Sequence, residues 1–103
     1  MRIAKVFFEE DFAGTLTESE DGKGYSFQYQ QGYSGPPVSL TMSVREEGYL
    51  YDEFPPFFDG LLPEGFQLEA LLRQKKLDRN DKFGQLIIVG ADTVGAVTVK
   101  EVP

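Results

Sequence analysis

The hydrophobic periodicity of this chain changes once, at Pro55-Pro56, and that change limits the fold more than any other feature. Before it, apolar residues alternate with polar ones, as in strands with one buried face. After it, they recur every three or four positions, as along one side of a helix. Ile3-Ala4-Lys5-Val6-Phe7-Phe8 reads as a strand, and Glu9-Glu10-Asp11 as a polar turn into a second strand at Phe12-Ala13-Gly14-Thr15-Leu16-Thr17. Asp21-Gly22-Lys23-Gly24 makes another turn, after which Tyr25, Phe27 and Tyr29 alternate with Ser26, Gln28 and Gln30. Residues 31–37, rich in Gly and Pro, form a loop. The segment 38–44 alternates again and predicts a further strand with Val38, Leu40, Met42 and Val44 on one face.

Beyond Pro55, Leu68, Leu71 and Leu72 fall at helical spacing, with Glu69 early and Arg73, Lys75 and Lys76 late, where the helix dipole favours each sign. Asp78, Asn80 or Asp81 can cap a second helix carrying Phe83, Leu86 and Ile87, and Gly90 stands where a left-handed C-cap residue belongs. Asp92-Thr93 is a turn, and residues 95–100 form a β-branched strand that returns to pair with the N-terminal sheet. The expected class is α+β: a small antiparallel or mixed sheet with two to three short helices packed on one face, as one domain over residues 1–103.

Composition removes most functional classes. A net charge of -7 argues against direct nucleic-acid binding, which needs clustered Lys and Arg to displace counterions from phosphates. The cluster Arg73, Lys75, Lys76, Arg79 and Lys82 is largely accounted for by dipole complementation at a helix end. Glu9, Glu10, Asp11, Glu18, Glu20 and Asp21 gather about two turns, as a solvated surface or as a steering field for a basic partner. With neither Cys nor His, the chain lacks the thiolate nucleophile, the usual general base and the commonest metal ligands. No phosphate-cradling, nucleophile-elbow or metal-ligand motif orders the remaining polar residues. The expectation is a non-enzyme without cofactor or metal. No apolar run approaches the roughly 20 residues that span a bilayer, and no signal-like segment opens the chain, so the expected compartment is the cytoplasm, away from membranes.

Two motifs carry a resemblance. Phe57-Phe58-Asp59-Gly60-Leu61-Leu62-Pro63-Glu64-Gly65 is followed downstream by Gly90-Ala91-Asp92-Thr93-Val94-Gly95-Ala96-Val97, and the pair resembles the N-terminal subdomain of HipA-family serine/threonine kinases. The Gly14 and Leu16 hairpin, the aromatic strand over Tyr25, Phe27 and Tyr29, and Ser39-Leu40-Thr41-Met42 fall in the order expected of that family, so the likeness runs over nearly the whole chain. HipA kinases continue into an ATP-binding body, whereas this sequence stops at Pro103. The resemblance therefore implies the split arrangement of tripartite HipBST toxin-antitoxin systems, with this chain in the place of the small HipS component. It implies an antitoxin that binds and inhibits a HipT-like serine/threonine kinase, with a HipB-like DNA-binding protein reached through the complex. The alternative within the family is a structural subunit that completes the kinase fold, or an adaptor for the HipB-like protein, without direct inhibition.

The residues expected at the partner surface are Phe57, Phe58, Asp59, Leu62, Pro63, Glu64, Gly65 and Phe66. Pro55-Pro56 can open a short helix, and Pro63-Glu64-Gly65 breaks it. The spacing of Phe57, Phe58, Leu61 and Leu62 favours burial in the core. Phe66, just past the breaker, either projects as an anchor for a partner's pocket or folds back as a hydrophobic staple. Asp59 and Glu64 could meet basic groups around a kinase nucleotide site, or simply be solvated.

Overall fold

Strand β1 (Ile3–Phe8) turns tightly through Glu9 and Glu10 into β2 (Asp11–Glu18), and so short a connection permits only the antiparallel pairing of the two strands. The computed structural model describes residues 1–93 and 95–102; Val94, inside the second motif, and Pro103 lie outside the described residues. Strand β3 (Tyr25–Tyr29) pairs antiparallel with β2, β4 (Tyr49–Tyr51) with β3, and β5 (Val97–Glu101) returns to the free side of β1. The sheet order is β4-β3-β2-β1-β5, all antiparallel. The expected α+β class and the returning last strand are both present.

Register decides which residues face inward. Val6 lies opposite Gly14 and Val99, and Leu16 opposite Ala4 and Phe27, so these side chains share one face. Helix α1 (Pro56–Asp59) and helix α3 (Lys82–Val89) close that face with Phe58, Phe83 and Leu86. Phe27, Phe58, Phe83, Leu16, Met42, Leu86, Val6 and Val99 are all fully buried. Each such side chain contributes about 1.5–3 kcal/mol through burial. Gly14 is required here, since a Cβ on it would sit 2.4 Å from the Gln28 carbonyl oxygen. The opposite face carries Lys5, Phe7, Phe12 and Lys100, with the two ammonium groups 5.4 and 5.5 Å from the centres of the Phe12 and Phe7 rings.

Two expectations need correction. The segment 38–44 is not a strand: only an isolated bridge between Ser39 and Met42 forms, across a tight turn. Val38 and Met42 are buried at the two feet of the turn, and Leu40 at its tip is 100% exposed. Alternating apolar residues cannot distinguish a strand face from a turn whose feet point inward, and the Ser39 hydroxyl tips the balance by capturing the Thr41 N–H at 3.2 Å. The fourth strand is instead Tyr49-Leu50-Tyr51, too short to show a period. Gly90 is also not a left-handed cap. Its φ is -62°, and the chain runs on into a 3-10 turn over Gly90–Asp92. Glycine is needed there for closeness, since a Cβ would lie 2.6 Å from the Val99 carbonyl oxygen.

Candidate functional site

The segment 55–66 leaves the core and re-enters solvent within a dozen residues. Pro56 at the first helical position presets the backbone for α1, and the Asp59 and Gly60 N–H groups bond back to the Pro55 and Pro56 carbonyls at 2.9 and 3.0 Å. Phe58 points inward, 5.8 Å from the Phe27 ring, and Phe57 packs edge-on against Phe58 at 5.1 Å. Leu61 and Leu62 are half-buried against the same core. The apolar set of this segment is thus mainly structural, as its spacing indicated. Phe58 is fully buried.

Past Pro63 the direction reverses. Glu64 is extended and exposed, and Gly65 takes φ +59°, a left-handed conformation that a side chain disfavours although nothing lies within 4 Å of the place its Cβ would occupy. This hinge starts helix α2 (Gly65–Lys75) and sends Phe66 outward, 94% exposed. The ring does not fold back as a staple. Leu68, Leu71 and Leu72 are only half-buried, and no residue of α2 is buried. The Glu69–Arg79 ion pair between two well-exposed side chains ties α2 to the following loop, and such pairs contribute little.

Charge at the site is largely spoken for. Asp59 accepts from the Lys82 ammonium at 2.9 Å, in a pair whose two side chains are both well exposed. With Arg79 on Glu69 and Lys82 on Asp59, the basic cluster of the sequence is split between two internal pairs and the end of α2. Glu18 likewise leaves the acidic group, because Arg2 grips it. The Arg2 guanidinium donates to Glu18 at 2.9 and 2.8 Å and to Asp81 at 3.1 and 2.7 Å, and it lies 5.0 Å above the Phe83 ring. Its hydrogen bonds hold the Asp81 carboxyl below the ordinary carboxylate value and raise its own pKa. Asp81 in turn caps α3 by accepting from the Gly84 N–H at 3.1 Å. Sequence reasoning named Asp81 as one of three possible caps and missed Arg2, whose partners are distant in the chain. Tyr25, Tyr29, Tyr33 and Tyr51 have their pKa values raised chiefly by burial, which keeps the phenols protonated and unsuited to act as bases. Among the described residues no group of three acidic side chains is placed to hold a metal ion, and no helix is long and apolar enough to cross a membrane.

The site is therefore a projecting aromatic on a lightly attached helix. Residues 4–100 match the HipA N-terminal domain family. This chain belongs to that family. A protein of Haemophilus influenzae strain Rd, described only as uncharacterised, is 33% identical over 101 residues, which make up 98% of this chain and 93% of that protein. A putative kinase of Sinorhizobium fredii is 27% identical over 100 residues, or 94% of this chain but 24% of the kinase. A solved N-terminal domain of HipA toxin is similar with TM-score 0.78 and 28% identity, covering 100% of this chain and 94% of that one. HipA of Shewanella oneidensis, solved with HipB and its operator DNA, is similar in fold with TM-score 0.73 and 22% identity, covering 97% of this chain and 23% of that one. The match falls on the HipA N-terminal domain and not on the catalytic part of the kinase, and it gives the chain a toxin-antitoxin context.

Proposed function

We propose that this HipA N-terminal domain is a non-catalytic antitoxin, a cytoplasmic protein of 103 residues forming one domain, that binds a HipT-like serine/threonine kinase and inhibits it through Phe66. The observation that carries the reading is the exposure of Phe66 at the start of a helix with no buried residue. Leaving a phenylalanine in water forgoes about 1.5–3 kcal/mol of burial that an apolar pocket on a partner restores. A large, rigid ring at the tip of a glycine hinge enters such a pocket with little loss of side-chain freedom. Phe57 and Leu62 pack against the core, Phe58 is buried within it and Asp59 pairs with Lys82, so the segment that leads to Phe66 is held in place, with Pro63, Glu64 and Gly65 between it and the ring. A HipB-like DNA-binding protein is reached through the kinase complex, with no contact between this chain and DNA.

A second reading is favoured by the 24% share of the Sinorhizobium fredii kinase that this chain matches. There the domain is part of a longer chain, so here it would complete a kinase fold as a separate subunit. One experiment separates the two. The chain is co-purified with a short HipA-family kinase, and phosphorylation is followed with wild type and with Phe66→Ala. Suppression by wild type and its loss in Phe66→Ala supports inhibition; binding without suppression supports the structural subunit; absence of binding removes both.

A further inference from the structure

Leu40, like Phe66, is a large apolar side chain that stands in solvent, and its exposure is 100%. A leucine on a loose loop would call for no explanation. This turn is not loose. The Tyr29 hydroxyl accepts from the Val38 N–H at 3.0 Å and donates to the Met42 carbonyl, so one side chain ties both feet of the turn to β3. Inside the turn the Met42 N–H donates to the Ser39 carbonyl at 3.1 Å and the Thr41 N–H to the Ser39 hydroxyl at 3.2 Å. The side chains of Val38 and Met42 are in the core. The backbone beneath Leu40 has thus lost its freedom on folding, and the side chain it presents touches nothing in its own domain. A preorganised apolar group of this kind binds without a further ordering cost.

Strand β3 fixes which side of the sheet the Leu40 turn lies on. Phe27 and Tyr29 both point to the inner side, with the Phe27 ring 4.9 Å from Tyr29 and 5.8 Å from Phe58. The Leu40 turn rests on Tyr29 and α1 rests on Phe27, so the two are neighbours on the helix-bearing side of the sheet. Phe66 follows α1 after a short loop. Leu50, 85% exposed, pairs with Ser26 and faces the opposite way. The Leu40 turn lies on the helix-bearing side of the sheet, and Leu50 does not.

In the Sinorhizobium fredii kinase and Shewanella oneidensis HipA, the matched portion is 24% and 23% of a longer chain, which leaves a large further body for such a surface to meet. We infer that Leu40 is a second anchor, seated in an apolar pocket of the same kinase that Phe66 engages but on a separate part of its surface. The inference rests on the kinase-binding reading above. Ser39 and Thr41 flank Leu40 with hydroxyls and no charge, so the fitting pocket is apolar with an uncharged polar rim.

The test is the affinity of the full chain for the short HipA-family kinase of the co-purification above, measured by titration calorimetry for wild type, Leu40→Ala, Phe66→Ala and Tyr29→Phe, with a thermal unfolding curve for each. Leu40→Ala is expected to weaken binding about tenfold with its unfolding temperature unchanged, as an anchor residue outside the core should. Tyr29→Phe keeps the ring and removes the clamp, so it weakens binding in the wild-type background and adds nothing in Leu40→Ala. Wild-type affinity in Leu40→Ala overturns the inference, and loss of affinity in Phe66→Ala in the same series leaves the kinase-binding reading standing without it. No binding by wild type overturns both. A concentration-dependent dimer of the isolated chain that Leu40→Ala dissolves assigns the turn to a second copy and also overturns the inference.

Discussion

Helix α3 has eight residues and buries four of them, Phe83, Gly84, Gln85 and Leu86; helix α2 has eleven and buries none. The two are joined by a short loop, yet they are secured in different ways. Helix α3 is capped by Asp81, gripped through that cap by Arg2, and backed by Gln85, whose amide donates to the Asp78 and Arg79 carbonyls at 3.3 and 3.0 Å. Helix α2 has no side-chain cap at its start and ends on Lys76, a non-glycine residue at φ 54°. Its length falls short of the roughly 12–15 residues at which isolated helices become even marginally stable, so it depends on the packing of Leu68, Leu71 and Leu72 or on a partner. The contrast separates two demands on one small domain: α3 supplies stability, and α2 supplies a surface.

The largest effect that would test this contrast is Phe83→Ala, expected to cost about 3–5 kcal/mol in chemical denaturation, because it empties a fully buried site beneath the Arg2 guanidinium. Next is Asp81→Ala, expected to lose about 1–2 kcal/mol as α3 loses its cap and Arg2 one of its two carboxylates. Because the folded-state pKa of Asp81 is depressed, its contribution is present above the ordinary carboxylate range and is lost as pH falls through the folded value. Acid titration of stability should therefore flatten in Asp81→Asn. Lys76→Gly should stabilise the chain by about 1 kcal/mol by relieving the left-handed residue at the end of α2, read as a rise in melting temperature. Phe66→Ala should change stability by less than about 0.5 kcal/mol while removing kinase suppression. A large loss of stability in Phe66→Ala would erase the distinction between the two helices.

Much of this was legible in the sequence, for physical reasons that differ by region. Strands β1, β2, β3 and β5 were readable because each pairs over at least five residues with one buried face, long enough to impose period 2. Strand β4 was not, since three residues carry no period, although its two tyrosines favour strands. The 38–44 segment misled because Tyr29, nine residues before Val38, supplies the hydrogen bonds a neighbouring strand would have supplied. The breaker Pro63-Glu64-Gly65 marked where the chain turns outward, and thus where Phe66 projects, because its cause is local backbone geometry. Leu40 was hidden for the opposite reason. Placed among alternating apolar residues it looked like core, and the Ser39 hydroxyl together with that of a distant tyrosine decides otherwise.

The pairing of β1 with β5 sets an order of events in synthesis. Ala4 faces Glu101 and Phe8 faces Val97, so one side of the second strand from the edge stays unpaired until residues 97–101 have left the ribosome. Closing so long a loop costs entropy that only the completed sheet offsets, which makes this contact late and slow relative to the β1–β2 hairpin. Val99 also provides the wall against which Gly90 and the end of α3 come to rest. A nascent chain truncated before β5 would retain an open strand edge and a helix without its floor, a form that invites chaperone capture or aggregation and falls short of a half-working domain.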